Sequence, residues 1–165
     1  ENISMTRSST QETHTILRHW REDVPDDRLA HLVRDAGRVL TKSLQTRLAE
    51  HSVSFGHWSF LRILWVSEGL TQRELSEQAG LMEPTTFTAL KAMEANGLIE
   101  RRHLNGNRKN IHIYLTQKGR DLKEILVPLA EEVNDIAVQG VDDDDLRATR
   151  RTLLTIIRNL ADANE

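Results

Sequence analysis

The sequence predicts a mainly α fold with a small β-hairpin, and three observations carry that class. Apolar residues recur at three- and four-residue intervals through several long stretches, which gathers them on one face of a helix. Between Thr71 and Asn96 a capping pair, a glycine and a proline punctuate two short helices in succession. Beyond an Asn-Gly pair, Ile111-His112-Ile113-Tyr114-Leu115 alternates strictly, the period of a half-buried strand leaving a tight turn.

Residues 1–26 form a polar arm rich in Ser, Thr and charge that ends at Val24-Pro25-Asp26-Asp27. Proline and paired aspartates mark a boundary and a helix start there, and Glu12 to Arg21 reads as a short helix within the arm. Leu29, Leu32, Val33, Ala36, Leu40, Leu44 and Leu48 then line one stripe, predicting a helix over about 28–50. Ser54 is the expected N-cap of the next helix, on which Trp58, Leu61, Arg62 and Trp65 share a face.

Thr71-Gln72-Arg73-Glu74 has the spacing of a capping box, in which hydroxyl and carboxylate satisfy two orphan amides at a helix start. That helix must end at Gly80, where positive φ turns the chain without a Cβ penalty. Glu83-Pro84 starts the next one, since proline at the first helical position loses no hydrogen bond. Helix, glycine turn and helix in this span have helix-turn-helix spacing. Leu98 to His103 and Ile111 to Leu115 follow as strands joined through Asn105-Gly106-Asn107, with Arg108 and Lys109 at the tip. Leu122, Ile125, Leu126, Leu129, Val133 and Ile136 line a long helix in which Pro128 is an expected kink. Asp142 to Asp145 favour another helix N-terminus, and Leu146, Leu153, Leu154, Ile157 and Leu160 line the helix that follows.

The net charge of −3 hides an uneven distribution. From Thr71 to Arg120 eight basic side chains face five acidic ones, whereas from Pro128 to Glu165 nine acids outnumber four arginines. A basic middle beside an acidic end points to one face that meets a polyanion. Cysteine is absent, which removes disulfides, thiolate metal sites and thiol redox switches. His51 and His57 lack the spacing of two ligands on one helical turn, and neither a metal nor a cofactor is expected. No Gly-rich phosphate loop, cysteine nucleophile or Gly-x-Ser-x-Gly elbow is present, so an enzyme is not expected. The absence of a long apolar run or a secretion signal predicts a cytoplasmic protein.

The order of elements resembles the MarR family of winged-helix regulators over roughly Asp27 to Ala161. The likeness is carried by WSFLRILW (from Trp58), GLTQRELS (from Gly69), GLMEPTTFTALKAMEANGLIERR (from Gly80) and NGNRKNIHIYLTQKG (from Asn105). It implies three regions: the polar arm 1–26, a dimerisation region of 27–54 and 117–165, and a winged helix-turn-helix DNA-binding lobe of 55–116. It further implies a homodimer on double-stranded DNA with a palindromic operator, and a pocket between the dimerisation helices and the DNA-binding lobe that accepts small aromatic carboxylates or related phenolics. Release from DNA by a small aromatic carboxylate, or a thioester made from one, is the control expected. Two departures stand out. The family often has Arg directly after Thr-Val-Thr, where this chain reads Thr86-Phe87-Thr88-Ala89; and a wing tip of Asp-Arg-Arg is here Asn107-Arg108-Lys109.

On this reading Thr85, Thr86, Thr88 and Lys91 meet base edges and phosphates in a major groove. Asn107, Arg108 and Lys109 enter a minor groove, where the potential is most negative, and Arg73 contacts a phosphate. Arg38, His57 and Trp58 are the effector-site candidates, supplying a carboxylate partner, a titratable donor and a flat apolar wall. The alternative is a winged-helix protein-interaction module that does not bind DNA.

Overall fold

The computed structural model of the chain describes residues 2–22, 29–104, 106 and 109–164. The boundary at Val24-Pro25-Asp26-Asp27, and Asn105, Asn107 and Arg108 of the wing tip, lie outside the described residues. In chain order the elements are α1 (Asn2–Glu22), α2 (Leu29–Ala49), α3 (Phe55–Val66), β1 (Leu70–Thr71), α4 (Gln72–Ala79), α5 (Glu83–Ala95), β2 (Ile99–His103), β3 (Ile111–Leu115), α6 (Gln117–Ala137) and α7 (Asp143–Ala163). Among the described residues no helix is long and apolar enough to cross a membrane.

The ends of these helices follow from local chemistry. Ser54 accepts the His57 amide at 3.1 Å to cap α3. At α4 the expected capping box forms: Thr71 Oγ1 accepts the Glu74 amide at 3.2 Å, and Glu74 accepts the Thr71 amide at 2.7 Å. Gly80 takes φ 65°, and the Gly80 and Leu81 amides donate to the Glu77 and Ser76 carbonyls, closing the turn before α5. Thr116 caps α6 and donates its own hydroxyl to the Gly97 carbonyl at 2.6 Å, tying the helix start to the end of α5. Pro128 sits inside α6, which runs on past it to Ala137.

β2 and β3 pair antiparallel with Ile99 opposite Leu115 and His103 opposite Ile111. β1 adds to the other edge of β3, giving the order β1-β3-β2. This third strand was not expected, because two residues are too few to show a period. Two further differences concern α1 and Glu68. The arm helix runs from Asn2 to Glu22 rather than starting near Glu12. Glu68 accepts the Leu115 amide at 2.8 Å and the Arg120 guanidinium at 2.9 Å, joining the strands to α6.

The core lies where the C-terminal end of α2 meets α3, α4, α5, the sheet and α6. Leu48, Phe60, Leu61, Leu75, Leu90 and Leu126 have no exposure. Trp65 reaches across to donate its indole N–H to the Gly119 carbonyl at 2.9 Å. α2 packs chiefly on α6, and α1 lies along α2, where the Trp20 indole donates to the buried Asp35 carboxylate at 3.0 Å. That hydrogen bond holds the Asp35 carboxyl below the usual aspartate range. α7 buries none of its residues within this chain.

Candidate nucleic-acid interface

α4 and α5 join through the Gly80 turn, and β2 leaves α5 through Gly97, so one surface carries α5 and the hairpin side by side. On α5 the helical period exposes Thr85, Thr88 and Lys91 while burying Leu90 and Met93. Arg73, exposed on α4, pairs with Glu77 at 3.0 Å one turn on. An exposed pair of that kind holds its arginine weakly, leaving it free to exchange partners with a phosphate. Lys109 is exposed at the hairpin end. Asn107 and Arg108, the other wing-tip candidates, lie outside the described residues.

Thr86 departs from expectation. It has no exposure, and its hydroxyl donates to the Met82 carbonyl at 3.3 Å. Four residues before Leu90 and seven before Met93 in the helical period, it faces inward and offers nothing to a groove. Ala89, where the family often has its arginine, is partly buried and packs against the core. Phe87, which sequence reasoning passed over, is exposed on α5 beneath the Arg101 guanidinium, 5.4 Å from its ring centroid. On the hairpin Arg102 stacks on Tyr114 at 4.5 Å.

A second feature lies behind this face. α2, α3, α4 and α6 enclose a cleft of about 880 Å³ whose lining includes Leu40, Leu44, Trp58, Arg62, Lys123 and Glu131. Trp58 is buried and forms part of its wall, with Trp65 edge-on to it at 5.6 Å. The Arg62 guanidinium lies 5.9 Å from the Trp58 ring centroid, and Lys123 supplies a second cation against the single carboxylate of Glu131.

The three effector candidates are therefore not brought together. Arg38 is turned toward α1, where it pairs with Glu12 at 3.6 Å. Glu12 also bonds Lys42, and that bond leads in holding its carboxyl below the usual range. His57 is half-buried, lies outside the cleft lining, and keeps a buried Nδ1 without a hydrogen-bond partner. Burial pushes its pKa down. The cleft's cations are Arg62 and Lys123 instead. Arg62 was legible as the residue four after Trp58 on one helical face, whereas Lys123 is contributed by α6, and no local period reports that approach.

Helix-turn-helix, adjacent hairpin and an exposed hydroxyl-and-lysine face on the second helix define a DNA-binding transcriptional regulator. The sequence profile of the MarR family matches residues 53–111 of the chain. The organic hydroperoxide resistance transcriptional regulator of Bacillus subtilis (strain 168) is 28% identical, over 84% of this chain and 93% of its own length. Among solved structures, MepR of S. aureus in complex with DNA superposes with a TM-score of 0.75 at 18% identity, over 81% of this chain and 99% of that one. The Mycobacterium tuberculosis MarR family protein RV2887 in complex with salicylic acid superposes with a TM-score of 0.65 at 22% identity, over 80% of this chain and 98% of that one. These relatives are regulators of transcription or share that fold; none is an enzyme by name.

Proposed function

We propose that the chain is a homodimeric, sequence-specific repressor that binds a palindromic operator and is released from it by a small aromatic acid or its thioester. The observation that carries the DNA reading is the exposed face of α5 beside the hairpin, in a fold that the S. aureus relative uses in complex with DNA. Thr85, Thr88 and Lys91 would enter the major groove, with Arg73 on a phosphate and the wing residues Asn107, Arg108 and Lys109 in the minor groove. The dimerisation region is assigned to 27–54 and 117–165, because α2, α6 and α7 leave long apolar rows uncovered.

The cleft supports the effector reading. Trp58 offers a flat wall, and Arg62 and Lys123 offer charge to a carboxylate. Its walls come from both the α2 and α6 helices and the DNA-binding lobe, so a wedged ligand alters the angle between them. Two recognition helices must match half-sites about 34–36 Å apart, and small changes of angle weaken that match. Each tenfold preference of the ligand for the DNA-incompetent dimer shifts the balance by about 1.4 kcal/mol. The chain has no cysteine, so a thiol-based signal is ruled out for it.

The test is selection of bound duplexes from a random pool, followed by titration with benzoates, hydroxybenzoates, cinnamates and their thioesters. Inverted-repeat duplexes bound with steep salt dependence, and weakened by at least one acid through Arg62 and Lys123, are the expected result. No selected duplex overturns the DNA reading. A full panel without effect, with Arg62→Ala and Lys123→Ala also neutral, overturns the effector reading alone.

A further inference from the structure

We propose that Phe87 is a specificity-determining residue that reads the C5 methyl group of a thymine in the major groove. The proposal rests on the DNA reading above and deepens it at one position. Two of the three hydroxyls on this part of α5 are committed to the helix itself. Thr86 donates to the Met82 carbonyl at 3.3 Å and Thr88 to the Pro84 carbonyl at 3.1 Å. A hydroxyl that donates to its own backbone keeps only lone pairs for a base, and guanine shows acceptors at N7 and O6. These threonines have no proton to give it.

What α5 does present is an aromatic ring. Phe87 is 46% exposed, in a lobe that buries Phe60 completely and Trp58 almost so. The Arg101 guanidinium from β2 lies 5.4 Å from the ring centroid, and Arg101 is itself ion-paired with Glu94 at 3.1 Å. Glu94 lies seven residues after Phe87 on the same face of the helix, and Lys91, four after Phe87, lies between them. A cation ion-paired to the helix thus covers part of the ring and leaves nearly half of it to solvent.

An apolar surface in the major groove discriminates one feature well. Thymine carries a C5 methyl group there and cytosine does not, and apolar side chains, phenylalanine among them, make that contact. Lys91 beside the ring has the reach to hold the adjacent phosphate, so apolar reading and charge positioning fall on one strip of α5.

The experiment uses the full chain and a duplex selected by it from a random pool. Each thymine is replaced singly by deoxyuridine, which removes the methyl and keeps the base pair. At one thymine per half-site the replacement is expected to weaken wild-type binding about fourfold, the effect of exposing one methyl-sized apolar group. Phe87→Ala is expected to bind thymine and uracil duplexes equally, and Phe87→Leu to keep part of the difference. Melting curves check each variant's fold, and Phe87→Leu carries the comparison if Phe87→Ala melts early. Wild-type indifference to every deoxyuridine overturns the proposal, as does an undiminished thymine preference in the Phe87 variants. Failure to select any duplex overturns the DNA reading itself, a result distinct from selection without a methyl effect.

Discussion

Thr86 and Phe87 are neighbours in sequence with opposite fates. The helical period turns Thr86 onto Leu90 and Met93 and leaves Phe87 outside, although polarity alone would have placed them the other way round. Thr86→Val keeps the shape and removes one hydroxyl whose bond goes to its own helix. Operator affinity is therefore expected to stay within about twofold of wild type, with a stability change of about 1 kcal/mol or less; a large loss of affinity at unchanged melting temperature would restore Thr86 as a contact. His57 yields a pH prediction. Its burial favours the neutral imidazole in the folded state, so above the ordinary histidine value of about 6.5 both states are uncharged and no effect arises. As pH falls through that value the unfolded chain takes up the proton first, and stability declines until the lowered folded pKa is passed. Denaturant melts between about pH 7 and 5 should show His57→Gln with a flatter decline than wild type.

At the scale of elements, the starts and turns were legible because their causes are local. Thr71 with Glu74, Gly80, Pro84 and Ser54 each satisfy or terminate a helix within four residues. What escaped the sequence depends on chain segments far apart. β1 exists only because β3 offers it an edge, Lys123 reaches the cleft from α6, and Arg38 is claimed by Glu12 of α1 rather than by the cleft. The joint between the hairpin and α6 is another long-range feature with a sharp consequence. A Cβ on Gly119 would stand 2.2 Å from the Leu98 carbonyl oxygen, which already accepts the Thr116 amide at 3.0 Å, while the Gly119 carbonyl accepts the Trp65 indole. Neither partner can retreat without breaking a hydrogen bond. Gly119→Ala is expected to cost about 1–3 kcal/mol or more, lowering the melting temperature by about 2–4 °C for each kcal/mol in a chain of this size. An unchanged melting temperature would show that α6 can shift as a unit.

For the whole molecule the decisive element is α7. Its row of Leu146, Leu153, Leu154, Ile157 and Leu160 stands exposed, with Ile157 at 65%, and the helix buries no residue against its own chain. Leu29, Leu32 and Val33 on α2 and Ile136 on α6 add further uncovered apolar groups. An exposed apolar surface this extended marks an interface, and in the two-fold dimer proposed above the same surface of a second copy covers it. The acidic N-terminus of α7, Asp143 to Asp145, makes this end of the molecule unattractive to a polyanion, in keeping with a proposed dimer interface kept apart from the basic lobe. Removing every residue after Gly140 deletes α7 and leaves the core intact, because the buried cluster draws its residues from α2 to α6 and none from α7. The truncated chain is expected to keep its helical lobe by circular dichroism, to sediment as monomer or aggregate, and to lose the tight binding that two linked half-sites provide. A soluble dimer of unchanged sedimentation after that deletion would place the interface elsewhere and leave the α7 stripe without a partner.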